Sequence, residues 1–296
     1  MNFLINIDCF IPPLPVGLCR QVFLFYVNII RIFIFIAYTM DVRYNKYIIS
    51  ILEPVKKEVH MEKGKKSTCK NHTPLLIVML TYEDQTVRNA YEIFDAYKDS
   101  NAEYWGFKEE PLSLSQMKEL YAYMKSCGKK TVLEVVAYTQ EKCLEGAKVA
   151  AECGCDLLMG TVYSDVVNEF CKNKGIKYMP FVGEVHGRPS ILEGTCRDMI
   201  CQAKEYLAKG VYGIDLLGYR YTGDAIQLNE EFIKAVDAPV CIAGSINDYQ
   251  RLNEIREAAP WAFTIGSAFF ENKFGGNFGE QIDKVCQYIK SEKIKC

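Results

Sequence analysis

The chain has 296 residues, of which 49% are apolar and 24% charged, enough apolar side chain for one large core. A formal net charge of -2 and the absence of any long Lys/Arg run exclude the electrostatic footprint of a nucleic-acid binder. Its 13 cysteines are odd in number and form no C-x-x-C pair, and its 3 histidines are too few for a histidine metal cage, so no metal, no cofactor and a reducing cytoplasmic setting are expected.

Residues 1–60 differ from the rest. They hold a Phe/Ile/Leu-rich stretch from Val22 to Ala37, interrupted by Asn28 and Arg31. It is short of the roughly 20 apolar residues of a membrane span, and Pro12, Pro13 and Pro15 with no charged leader argue against a signal peptide. Lys57-Glu58-Val59-His60-Met61 can be encoded by a purine-rich ribosome-binding sequence just ahead of a methionine codon. The expected organisation is therefore an extension, 1–60, upstream of a true start at Met61, followed by one domain over 61–296. A membrane contact is expected only if residues 1–60 are expressed.

From Leu75 onward, short β-rich runs alternate with amphipathic stretches, the pattern of parallel strands joined by crossover helices. Strands are predicted at 75–80, 103–107, 131–136, 157–160, 177–181, 213–217, 240–243 and 263–266. Val87, Ala90, Tyr91 and Phe94 stripe the first helix; Ile282, Val285, Cys286 and Ile289 stripe the last. Gly128, Gly154, Gly175 and Gly210 stand where helices stop, and Ser113 with Gln116 forms a capping box. Eight alternations in about 220 residues predict an α/β fold, a closed (β/α)8 TIM barrel with a non-barrel N-terminal extension. An open dinucleotide-binding sheet would need a glycine fingerprint after its first strand, and Thr81–Gln85 has none.

The last two strands each close on a Gly-Ser turn, Gly244-Ser245 and Gly266-Ser267. Glycine lets the main chain approach a phosphate oxygen, serine adds a hydroxyl, and the following N–H groups face the anion. A pair of such turns on strands seven and eight is where a (β/α)8 barrel builds its phosphate site.

Ile242-Ala-Gly-Ser-Ile-Asn247 and Ala262-Phe-Thr-Ile-Gly-Ser-Ala268 resemble the strand-7 and strand-8 phosphate motifs of the ribulose-phosphate-binding barrels. That superfamily includes the histidine- and tryptophan-pathway isomerases, ribulose-phosphate epimerase and N-acetylmannosamine-6-phosphate 2-epimerase. The resemblance implies that Gly244, Ser245, Gly266 and Ser267 hold a phosphate. It is strong over about forty residues and architectural elsewhere. Ala243 stands where that epimerase carries a glutamate, so the epimerase's own chemistry does not carry over.

Catalytic groups in such a barrel come from the C-terminal ends of strands and the loops after them. Glu83 and Asp84 follow the first strand, Lys108 the second, Glu134 lies in the third, Glu184, His186 and Arg188 follow the fifth, and Asp215, Tyr219, Arg220 and Asp224 attend the sixth. Glu134 and Asp215 sit inside apolar strands, where a carboxylate must be paired or used, and form the expected proton-transfer pair. Lys108 is a candidate imine-forming lysine or charge anchor, and His186 a proton carrier. Arg188 and Arg220 are candidate substrate clamps, with 183–190 read as a loop closing over the ligand. The expected function is a metal-independent acid–base isomerase or epimerase of a small phosphorylated metabolite, a sugar phosphate. Alternatives are a Schiff-base aldolase or lyase using Lys108, and a non-catalytic phosphometabolite-binding barrel. A second copy of the chain, forming a homodimer, is left open as a partner.

Overall fold

The computed structural model describes residues 73–291. The expectations for residues 1–60 and for a start at Met61 lie outside the described residues. In chain order the elements are β1 (Leu75–Met79), β2 (Thr81–Tyr82), β3 (Gln85–Thr86), α1 (Ala90–Tyr97), β4 (Tyr104–Lys108), α2 (Leu114–Ser126), β5 (Lys130–Ala137), α3 (Gln140–Glu152), β6 (Leu157–Thr161) and α4 (Asp165–Lys174). They continue with β7 (Lys177–Met179), β8 (Glu184–His186), β9 (Ile191–Glu193), α5 (Cys196–Ala208), β10 (Ile214–Leu216), a 3-10 turn at Gly218–Arg220, α6 (Ala225–Ala235), β11 (Val240–Ile242), α7 (Tyr249–Ala258), β12 (Ala262–Ile265), α8 (Ser267–Phe270) and α9 (Phe278–Lys290).

Eight parallel strands run in the order β10-β11-β12-β1-β4-β5-β6-β7. The two ends meet: Phe181 bridges Asp215, Tyr212 N donates to Tyr178 O at 2.9 Å, and Asp215 N donates to Pro180 O at 3.0 Å. The result is a (β/α)8 barrel, and all eight predicted strands fall within one or two residues of the observed ones.

Helix ends follow their local chemistry. Ser113 and Gln116 cap α2 reciprocally, as the spacing predicts, and Asn277 with Glu280 does the same for α9. Gly175 ends α4 in the left-handed region, φ 69°, where a β-carbon would be strained. In α9, Ile282, Val285 and Ile289 are buried as the stripe predicts. In α1, Ala90 and Phe94 point inward, but Tyr91 does not: it is 40% exposed and stacks on Tyr123. Among the described residues no helix is long and apolar enough to cross a membrane.

Strand alternation makes two cores. The barrel interior is small and holds Ile77, Met79, Val132, Leu157, Met159, Met179, Cys241 and Ala262. Leu133 and Val135, on the other face of β5, join Trp105, Phe107 and Phe94 in the larger layer under the helices. Glu134 therefore points into the barrel, one layer above Val132. On β4 the same alternation turns Gly106 and Lys108 inward. A β-carbon at Gly106 would lie 2.5 Å from Val132 O and 3.1 Å from Met79 Sδ. Gly106→Ala is expected to lower the unfolding free energy by about 2 kcal/mol through this overpacking, read from urea denaturation.

Candidate functional site

A cavity of about 290 Å³ opens at the C-terminal ends of the strands, the end on which such barrels act. One of its walls is main chain. Gly244, Ser245, Ile246 and Asn247 after β11 face Gly266, Ser267 and Ala268 after β12, so both Gly-Ser turns border the same space. Gly244 has φ 124°, and a β-carbon there would meet Tyr219 Cβ at 2.9 Å, so only glycine lets the turn lie against the 3-10 segment. The neighbouring polar groups are already engaged: Ala243 N donates to Leu216 O, Ile246 N to Gly244 O, and Phe269 N to Gly266 O. The N–H groups of Gly244, Ser245, Gly266 and Ser267 have no carbonyl partner among the described residues. Four unpartnered main-chain N–H groups thus belong to residues that border one cavity. Arg220 borders the same space and makes no ion pair among the described residues. Tyr219, the residue before it, rests on Gly244, which brings the guanidinium-bearing residue beside this wall.

The other wall is charged. Lys108 Nζ lies 3.6 Å from Glu134 Oε1 and in close contact with Asp84 Oδ1, and all three residues border the cavity. The Lys108 side chain is only 10% exposed. Burial works to strip its proton, but the Glu134 charge and the Asp84 hydrogen bond outweigh it and leave Lys108 above the ordinary lysine range. It stands in the cavity as an ammonium. Room for Glu134 comes from Gly160 on the adjacent strand, where a β-carbon would sit 2.9 Å from Glu134 Cγ, beside a register shift in the β5–β6 pairing.

Asp215 occupies a different position from that expected of a proton-transfer partner. It is 1% exposed, does not border the cavity, and its Oδ1 has no hydrogen-bond partner among the described residues. Burial first, and the Glu134 charge second, push its carboxyl well above the usual range, with Lys108 offsetting only part. Burial thus favours the protonated form of Asp215 inside the barrel, where it is electrostatically coupled to the Lys108–Glu134 pair.

The structure does not bring His186 or Arg188 to the cavity. The segment read as a closing loop is the antiparallel hairpin β8–β9. His186 Nε2 faces Glu193 Oε2 at 3.2 Å in the open. Arg188 donates to Val136 O at 3.1 Å and to Glu109 Oε1 at 3.3 Å, and Tyr138 OH donates to Gly187 O at 2.8 Å, so the hairpin is tied to the barrel rim. Of this hairpin, Ser190 borders the cavity. Sequence reasoning passed over Thr86, whose hydroxyl donates to Lys108 O at 2.7 Å and accepts from Lys108 N at 2.9 Å, fixing the lysine main chain. Among the described residues no three His, Cys, Asp or Glu side chains converge as a metal ligand set.

No protein-family model matches the chain, and no curated protein sequence matches it. Solved structures do. Orotidine 5′-phosphate decarboxylase from Pyrococcus horikoshii OT3 is 13% identical with a TM-score of 0.55, covering 74% of this chain and 100% of that one. N-acetylmannosamine-6-phosphate 2-epimerase from Clostridium perfringens is 14% identical with a TM-score of 0.50, covering 76% and 100%. Phosphoribosylanthranilate isomerase from Thermotoga maritima is 15% identical with a TM-score of 0.50, covering 74% and 100%. At these identities the likeness is one of fold: the chain is similar to TIM-barrel enzymes of several different reactions.

Proposed function

We propose that this chain is an acid–base isomerase or epimerase of a small phosphorylated metabolite, a sugar phosphate, acting in the cytoplasm. The observation that carries this reading is the two-walled cavity, with unpartnered main-chain donors on one side and the Lys108–Glu134 pair on the other. The amides of Gly244, Ser245, Gly266 and Ser267 hold the phosphate, with Arg220 beside them. Glu134 takes a proton from a carbon next to a carbonyl, and the electron pair moves onto the carbonyl oxygen. The Lys108 ammonium stabilises the charge that develops on oxygen and returns a proton. A cavity of this size suits a small metabolite better than a dinucleotide. The names of the similar structures, a decarboxylase, an epimerase and an isomerase of phosphorylated compounds, agree with a phosphate anchor and differ in chemistry.

The aldolase reading requires a free amine at Lys108 to form an imine, and the two carboxylates around it favour the charged form instead. The decisive experiment is a thermal-shift series with inorganic phosphate and a panel of phosphorylated sugars and amino sugars. A ligand at 100 times its Kd is expected to stabilise the protein by about 2.7 kcal/mol, a rise of roughly 5–10 °C for a domain of this size. Gly266→Ala is expected to abolish that rise, because its β-carbon would lie 2.5 Å from Thr81 Oγ1 and 2.9 Å from Thr81 O, displacing the turn. No shift with any phosphorylated compound would overturn the reading. A shift without turnover of any compound would instead make the chain a phosphometabolite-binding barrel.

A further inference from the structure

The β2–β3 hairpin lies beside Lys108, and its turn is occupied by Glu83 and Asp84 with φ of 48° and 64°. Both are in the left-handed region, which aspartate, like asparagine and glycine, visits readily and glutamate does not. Two larger acids in succession make this an unfavourable way to connect strands that pair over only two residues each. The turn places Asp84, and not Glu83, on the cavity wall.

What the side chain does is visible. Asp84 borders the cavity and accepts a hydrogen bond from Lys108 Nζ. Two residues later, Thr86 clamps the Lys108 main chain from both sides. One hairpin therefore fixes both the backbone and the ammonium of a single lysine. The charged and titratable groups facing that ammonium are Asp84 from the hairpin, Glu134 from β5, Glu109 next in the chain and the buried Asp215 from β10.

We propose that Asp84 is a positioning residue, kept in a left-handed turn so that its carboxylate holds the Lys108 amine as an ammonium aimed at the substrate and bars it from adding to a carbonyl carbon. This rests on the acid–base reading for the use made of Lys108. The state of the lysine itself is measurable with no substrate present. Without Asp84, burial opposes fewer countercharges, and the amine sheds its proton at lower pH.

Competitive acetylation with acetic anhydride, which reacts with the neutral amine, reports that state when Lys108 is quantified by peptide mass spectrometry across pH 6 to 11. Asp84→Asn and Asp84→Gly are both expected to move the Lys108 labelling midpoint down by about one pH unit, a roughly tenfold gain in labelling at a fixed pH. Glu83→Gly removes strain but not the clamp, and is expected to leave the midpoint in place. Glu83→Gly is expected to raise the melting temperature, since glycine occupies the left-handed region freely, whereas Asp84→Gly is expected to lower it because it leaves the buried Lys108 ammonium with one countercharge fewer. Superimposable labelling profiles for wild type and both Asp84 variants would overturn the proposal. Failure of every phosphorylated ligand to bind would count against the functional reading alone.

Discussion

Glu134→Gln is expected to slow hydrogen exchange between solvent and the reacting carbon by about 10²–10⁴-fold, while the melting-temperature rise on inorganic phosphate stays unchanged. Glutamine keeps the shape that Gly160 accommodates and still offers an oxygen to Lys108, but it cannot take a proton. The main-chain N–H groups proposed to hold the phosphate follow β11 and β12, on the far side of the barrel from β5, so the substitution leaves them in place. Deuterium incorporation in D2O, followed by NMR for whichever sugar phosphate stabilises the protein, reads the first quantity, and thermal shift reads the second. Undiminished exchange in the variant would remove Glu134 from the base role. Loss of both signals together would show that the two walls are not independent.

The second large effect concerns Asp215. Its carboxyl titrates near 4 in an unfolded chain and well above that in the folded protein, chiefly because it is buried. Between those two values the folded state keeps a proton that the unfolded state releases. Stability is therefore complete below about pH 4 and declines as pH rises toward the folded value, by up to about 1.4 kcal/mol for each pH unit. Asp215→Asn cannot titrate and is expected to lose this slope. Urea unfolding at a series of pH values from 5 upward should show the variant gaining on wild type as pH rises, until the folded value of Asp215 is passed and the two profiles run parallel. Profiles parallel over the whole range would mean that the folded value of Asp215 is not raised.

The barrel was legible in the sequence because its signals are local and repeated. Apolar runs such as 131–136 and helix stops such as Gly175 each specify one strand or one turn, and eight of them in series leave few topologies. The two Gly-Ser turns were legible as turns for the same reason, since Gly244 and Gly266 stand where a β-carbon would collide with Tyr219 and Thr81. The charged wall was harder to read. Glu134 and Asp215 look alike as single acids in apolar strands, yet one borders the cavity and the other is sealed from it. Alternation puts both inside the barrel; depth along its axis depends on how neighbouring strands are staggered, which no single strand encodes. His186 and Arg188 seemed apt because their segment is polar and glycine-rich. That composition fits a rim-tied hairpin as well as a mobile loop, and the ties to Val136, Glu109 and Tyr138 are long-range. The β2–β3 hairpin gave no signal at all, since Glu83-Asp84 is not a sequence expected at a tight turn. Thr86 was hidden with it.

The unpartnered main-chain N–H groups follow consecutive strands, β11 and β12, on one side of the barrel, and the Lys108–Glu134 pair stands on β4 and β5 on another. In the proposed reaction, reactivity and grip fall to separate stretches of chain, Lys108 to Glu134 and Gly244 to Ser267. Changes confined to the first stretch can redirect the reaction without releasing the handle by which the ligand is held. A single scaffold of this kind can change its chemistry one wall at a time.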